Sequence, residues 1–231
     1  MPDRPVHAHI KTLSQVLVRI SDQVVKHLFH ALDAVKHQDD QGARQFRLDD
    51  YEIDVAEVDL EERCLRFLAL QHPVAKDLRT IITIIKINDD LERIGKLALH
   101  IIERMHDITP EMMDSLGLET MGIQAGEMVS KSIEAFISEN PTLAHQVCTL
   151  DETINAAHRS VFNSISARMK EQDADVDQLI SALSISRYIE RLADHATRIA
   201  HEVIYLVTGE IIMHKEGFYS HLITSFSGDI D

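Results

Sequence analysis

Asp50, Asp54 and Glu57 recur at helical spacing in one stretch of the chain, and Asp151, Asn155 and His158 recur at the same spacing in another. Glu190 and Asp194 make a further pair, four residues apart; the matching pair elsewhere is Glu92 with Lys96. Residues four apart share one face of a helix, and two carboxylates so placed repel by ~0.2–0.5 kcal/mol. A bound cation would remove that cost, and carboxylate clusters between helices hold hard or borderline cations through oxygen. A solvated helical face shows the same pattern, so spacing alone leaves both readings open. If the stretch with Asp50 packs beside the one with Glu92, Asp50, Asp54 and Glu92 converge. Asp151, Glu190 and Asp194 converge in the same way.

Other chemistries find less support. A di-iron carboxylate site needs Glu-x-x-His on two helices. The chain offers Glu103 with His106 at a helix end, without a second copy. No Gly-rich phosphate loop and no Gly-x-Ser-x-Gly elbow occurs. The histidines are scattered, and His100, His195 and His201 read as surface or partly packed helix residues. Nothing in the sequence points to an enzyme.

The elements that position these residues are helices. The 231 residues include only 8 glycines and 5 prolines, with 5% aromatics and no tryptophan. Such a chain is poor in turns. No proline occurs from Val6 to His72, from Val74 to Thr109, or after Pro141. Pro73 and Pro141 sit where helices begin, and Pro110 lies in a polar break near the middle. Six helices are predicted, over about 7–38, 42–71, 74–107, 115–139, 142–171 and 174–208.

The third and sixth of these repeat each other. Ile84, Ile87, Leu91, Ile94, Ala98 and Ile101 form one apolar stripe at alternating spacings of three and four. A constant offset carries them onto Ala182, Ile185, Ile189, Leu192, Ala196 and Ile199. The same offset takes Glu92-Arg93 to Glu190-Arg191 and Gly95 to Ala193. Two copies of a three-helix unit account for this. The predicted fold is all-α, two tandem three-helix bundles, with repeats at 7–108 and 115–209 and a tail at 210–231. Leu13, Val16, Leu17, Ile20, Val24, Leu28 and Leu32 form a stripe expected inside the first bundle. Glycine inside a helix costs ~1 kcal/mol against alanine, so Gly95 is expected to admit a close neighbour, either a helix or a ligand.

The net charge of -15 argues against nucleic-acid partners, because no basic run offsets it. Cys64 and Cys148 lack metal-ligand spacing and fit a reduced, intracellular setting. No secretory h-region is visible, and no apolar run approaches the ~18–20 residues of a membrane span. A soluble, cytoplasmic protein is expected.

The segment His72–Ile101, "HPVAKDLRTIITIIKINDDLERIGKLALHI", resembles the PhoU family of phosphate-signalling proteins. The family carries Gln-Pro-x-Ala-x-Asp-Leu-Arg followed by Asp-Leu-Glu-Arg-Ile-Gly-Asp. Pro73, Ala75, Asp77, Leu78 and Arg79 match the first run; Asp90, Leu91, Glu92, Arg93, Ile94 and Gly95 match the second. Ser184–Glu210 resembles the counterpart in the second repeat, through Ile189, Glu190, Arg191, Asp194, Ile199 and Gly209. The likeness spans about residues 10–210.

The resemblance implies a non-enzymatic negative regulator of phosphate uptake and phosphate-starvation signalling. Its implied partners are a phosphate ABC transporter, through the ATPase subunit, and a membrane sensor histidine kinase. It further implies a homodimer on the cytoplasmic face of the membrane, held there through partners. A metal ion or cluster (iron, zinc or magnesium) is implied in each repeat. The implied ligands are Asp50, Asp54 and Glu92 in the first, and Asp151, Asn155, Glu190 and Asp194 in the second. Two departures bear on this. Lys96 puts an ammonium where the family has an aspartate, with Glu92 four residues away as its expected ion-pair partner. Asn155 stands where many members have aspartate, and His158 is an alternative ligand beside it. His72 replaces the usual glutamine before Pro73. A metal-binding relative serving another transporter or metal homeostasis is the alternative.

Overall fold

The computed structural model describes residues 5–210; the tail expected at 210–231 lies outside them except for its first residue. Helices carry nearly all of this span: α1 (Pro5–His37), α2 (Asp40–Gln71), α3 (Ala75–Ile102), α4 (Pro110–Ser115), α5 (Leu118–Ile137), α6 (Pro141–Arg168) and α7 (Val176–Thr208). A 3-10 turn at Met105–Asp107 separates α3 from α4. Short-range polar chemistry sets the starts. Asp39, Thr109, Asn140 and Asp175 each accept a backbone N–H from the first turn of α2, α4, α6 and α7. Pro110 and Pro141 occupy first-turn positions, where no hydrogen bond is lost.

The third helix stops sooner than its periodicity predicts. After Ile102 the chain tightens, with Arg104 N–H donating to the Ile101 carbonyl at 3.1 Å. Gln38 then caps the break from α1, its Nε2 donating to the Met105 carbonyl at 2.7 Å and the Ile108 carbonyl at 3.0 Å. The polar break around Pro110 holds the short helix α4, whose Met113 is fully buried. Gly117, in the left-handed region at φ 65°, turns the chain into α5.

Helices α1, α2 and α3 form one three-helix bundle, and α5, α6 and α7 form the other. They join through α1 against α5 and α3 against α7, which leaves α2 and α6 on the two outer flanks. All twelve residues of the repeated α3 and α7 stripes are fully buried, and the α1 stripe is buried as well. At the α1–α5 seam an added Cβ on Gly122 would meet Leu32 Cδ1 at 2.6 Å, and one on Gly126 would meet Phe29 Cε1 at 2.6 Å. At both glycines a side chain of α1 lies where a Cβ would be, so any larger residue has to displace it. Gly95 is different. An added Cβ there meets nothing within 4 Å, so the close neighbour expected at this position is absent.

Candidate functional site

The first acidic cluster lies on the outer flank, where α2 packs on α3. Asp50, Asp54 and Glu57 come from α2, and Glu92 and Lys96 from α3. The Lys96 ammonium occupies the centre. Its Nζ lies 2.7 Å from both carboxylate oxygens of Asp54 and 3.5 Å from Asp50 Oδ2. Burial opposes the ammonium charge, but the Asp54 hydrogen bond and the Asp50 charge outweigh it and hold the Lys96 pKa up. Lys96 thus pairs across the helix seam with α2. The expected partner on its own helix, Glu92, is exposed.

Asp50 also faces α1, where His27 Nε2 stands 3.6 Å from Asp50 Oδ1. The His27 ring is buried and stacked on Phe46 with centroids 3.5 Å apart. Burial lowers its pKa and favours the neutral ring. Deeper in the seam, Glu57 is buried and its Oε1 lacks a hydrogen-bond partner. Its pKa is raised to about 8, first by burial and then by the negative charges of Asp54 and Glu92.

The second cluster occupies the equivalent flank, between α6 and α7. Asn155 Nδ2 donates to Asp151 Oδ2 at 2.8 Å, and Thr197 Oγ1 donates to Asp151 Oδ1 at 3.5 Å. His158 Nδ1 is engaged with Ser186 Oγ at 2.5 Å. Glu190, close enough for its charge to act on Asp151, His158 and Asp194, has a buried Oε2 without a hydrogen-bond partner. Loss of water raises the Asp151 pKa, and the Glu190 charge adds to this. Asp194 stands at the exposed rim, and its pKa is raised by desolvation first, then by Glu190 and Asp151. Three carboxylates here share one electrostatic environment, and the charges of His195 and Arg187 only partly offset the rise at Asp194. In the first cluster Lys96 is the cation, and Asp194 is its repeat counterpart.

A metal does not fit the first cluster, because an ammonium already holds both Asp54 oxygens. The second cluster fits a cation in charge and donor type. Its donors are mostly oxygen, which suits a hard divalent ion better than zinc, with its preference for nitrogen and sulfur. Among the described residues, no three His, Cys, Asp or Glu side chains are placed around a common point that could hold a metal ion.

One buried polar contact is not among those expected from the sequence. His195 Nδ1 lies 2.8 Å from Asp90 Oδ1, across the α3–α7 junction, with both side chains buried. Arg198 Nε approaches the same oxygen at 3.7 Å. Nearby, Lys86 Nζ donates to Glu202 at 2.9 Å. The signal was present: Asp90 lies three residues after Ile87 and four before Ile94, and His195 lies three after Leu192 and four before Ile199. Both therefore sit at core phase. His195 is a buried interbundle residue, not the surface or partly packed one expected.

Among the described residues no helix is long and apolar enough to cross a membrane. The PhoU domain model matches the chain twice, over residues 17–114 and 118–203. A protein of Clostridium acetobutylicum named phosphate-specific transport system accessory protein PhoU homolog is 31% identical, over 87% of this chain and 93% of its own. An Aquifex aeolicus protein of the same name is also 31% identical, over 89% of this chain and 94% of its own. The crystal structure of PhoU from Pseudomonas aeruginosa superposes with a TM-score of 0.80 at 30% identity, covering 88% of this chain and 99% of that one. The phosphate transport system regulatory protein PhoU from Streptococcus pneumoniae superposes at 0.83 and 26% identity, covering 90% and 99%. These relatives are named as accessory and regulatory proteins rather than enzymes. The all-α architecture, its internal duplication and the two domain matches lead to one conclusion: this chain belongs to the PhoU family.

Proposed function

We propose that the chain is a non-enzymatic accessory protein of phosphate transport that restrains phosphate uptake and phosphate-starvation signalling. It acts as an adaptor on the cytoplasmic face of the membrane, between the ATPase subunit of a phosphate ABC transporter and a sensor histidine kinase. The working form is a homodimer whose repeats span 7–108 and 115–209. The observation that carries this reading is the match of the family model to both halves of the chain, together with relatives named for phosphate transport that align along nearly their full length. The test is deletion of the gene in its own host. A starvation-responsive reporter should then stay on in high phosphate, and labelled phosphate uptake should lose its restraint. A reporter and an uptake rate both unchanged by the deletion would sink the proposal.

The alternative, a metal-binding relative serving another transporter or metal homeostasis, draws support from the unpartnered Glu190 oxygen. In that reading Asp151, Asn155, Glu190 and Asp194 hold one hard cation, which neutralises the negative charge gathered on the α6–α7 flank. Metal analysis of untagged protein tests it. Wild type should carry metal, Glu190→Ala/Asp194→Ala should lose it, and Lys96→Asp should add a second equivalent at Asp50, Asp54 and Glu92. Metal that survives the double substitution would place it elsewhere.

A further inference from the structure

Helix α2 carries two apolar stripes, and only one of them faces the protein. The inner stripe runs through Phe46, Ile53, Leu60, Cys64 and Phe67, all buried against α1 and α3. The outer one runs through Leu48, Tyr51, Val55, Val58 and Leu65, which are 52% to 70% exposed. Their spacing is three, four, three, then seven, with Glu62 in the gap. That is the a/d rhythm of a coiled-coil seam. It extends about 26 Å along the helix at 1.5 Å per residue. Single exposed apolar residues are ordinary, but a contiguous row of them marks an interaction surface.

The second repeat supplies an internal control. The offset that carries Asp50 to Asp151 also carries the inner residues Phe46, Ile53, Leu60 and Cys64 onto Val147, Ile154, Val161 and Ile165, all buried. It carries the outer residues Leu48, Tyr51, Val55, Val58 and Leu65 onto Thr149, Glu152, Ala156, Arg159 and Ser166. The fold therefore does not require an apolar outer face on a flanking helix. The first repeat has one and the second does not.

Charge selects the occupant. Between Arg47 and Arg63, α2 has neither lysine nor arginine, and Asp50, Asp54 and Glu57 turn to the α3 seam while Glu52, Asp59, Glu61 and Glu62 are exposed beside the outer stripe. A second copy pairing in parallel would set each acid opposite itself. An antiparallel pair centred between Val55 and Val58 would set Glu52 opposite Glu61 and Tyr51 opposite Glu62. Like charges flanking a seam oppose association, whereas opposite charges direct partner choice. We infer that the outer face of α2 is a docking seam for an amphipathic helix of a partner protein, one with an apolar a/d stripe flanked by lysine or arginine. The inference rests on the adaptor reading only in that an adaptor needs a protein partner.

A fluorescent designed helix, with leucine at a and d and lysine at e and g, serves as the probe against the full chain. Two controls accompany it, a version with glutamate at e and g and a scrambled lysine version. The lysine helix should bind in order of preference over both controls, and should weaken with added salt. Tyr51→Glu/Val58→Arg, which installs the residues of the second repeat at exposed positions, should weaken binding roughly tenfold or more. The thermal melt of the variant should match wild type. Equal binding of the scrambled helix, or binding unaffected by the double substitution, would overturn the assignment. So would sedimentation showing a wild-type dimer that the double substitution dissociates, since the seam would then belong to a second copy. Because the readout is binding, these results stand apart from the deletion phenotype: a reporter that fails to respond to gene loss leaves the seam intact.

Discussion

Replacing Glu57 with glutamine should make the protein more stable at neutral pH and change its stability by less than about 1 kcal/mol at pH 5. Glu57 is 4% exposed, and its pKa is raised from 4.5 to about 8 by burial and by the charges of Asp54, Glu92 and Asp50, with Lys96 opposing them. Below pH 4.5 the carboxyl is protonated in both folded and unfolded chains and contributes no pH dependence. Between 4.5 and 8 the folded chain holds a proton that the unfolded chain has released, so stability falls as pH rises. Each pKa unit of difference corresponds to about 1.4 kcal/mol, which gives a loss of about 3 kcal/mol by pH 7. Glutamine has the shape of the protonated acid and cannot ionise, so Glu57→Gln removes the loss. In a chain of this size that corresponds to a rise in melting temperature of roughly 5–10 °C at pH 7. Far-UV circular dichroism melts of both proteins from pH 5 to 8 provide the assay, in a chelating buffer of low ionic strength. The histidines titrate in the same window, but they cancel in the difference between the two proteins. A difference curve that is flat across this range would refute the reasoning, as would a wild type more stable than the variant at pH 8.

Gly95→Ala should gain up to about 1 kcal/mol, since the helix interior prefers alanine and the space beside it is open; Gly126→Ala should lose about 1–3 kcal/mol, because Phe29 must move. Urea denaturation of the two variants measures both signs. Asp90→Asn should cost about 3 kcal/mol in the same assay, by leaving His195 without its charged partner in the α3–α7 junction. Cys64 and Cys148, with thiol pKa values pushed up to about 12 by burial, should stay unmodified by an aromatic disulfide reagent at pH 7.5 and react once the chain is denatured.

The duplication was legible because it is written in short-range periodicity. The twelve stripe residues of α3 and α7 needed only helical phase to be placed in the core, and all of them are there. Helix starts were legible for a similar reason: Asn140-Pro141 acts within one turn. Lys96 shows where that kind of reasoning stops. Along its own helix the visible partner is Glu92, four residues back, and the actual partners are Asp54 and Asp50 on a neighbouring helix. Which face of α2 meets α3 depends on packing that no local pattern records. Gly95 shows the same limit, since a small residue signals room without saying whether anything fills it. The early stop of α3 depends on Gln38, far away in the chain, satisfying the carbonyls of Met105 and Ile108.

The core formed by the buried residues is one body that passes through both bundles. The α1–α5 seam, where Leu32 and Phe29 lie over Gly122 and Gly126, and the buried Asp90–His195 contact sew the halves together. Each half on its own would expose the buried residues where α1 meets α5 and α3 meets α7. With those faces now joined by shared apolar packing and by the Asp90–His195 contact, neither half presents a self-contained surface. A genetic split at the loop before α5 would yield two insoluble fragments, recoverable only by co-expression. The two acidic flanks, carried on α2 and α6 at the outer sides of one shared core, can differ in chemistry, Lys96 in one and Asp194 in the other, while the core between them fixes their separation.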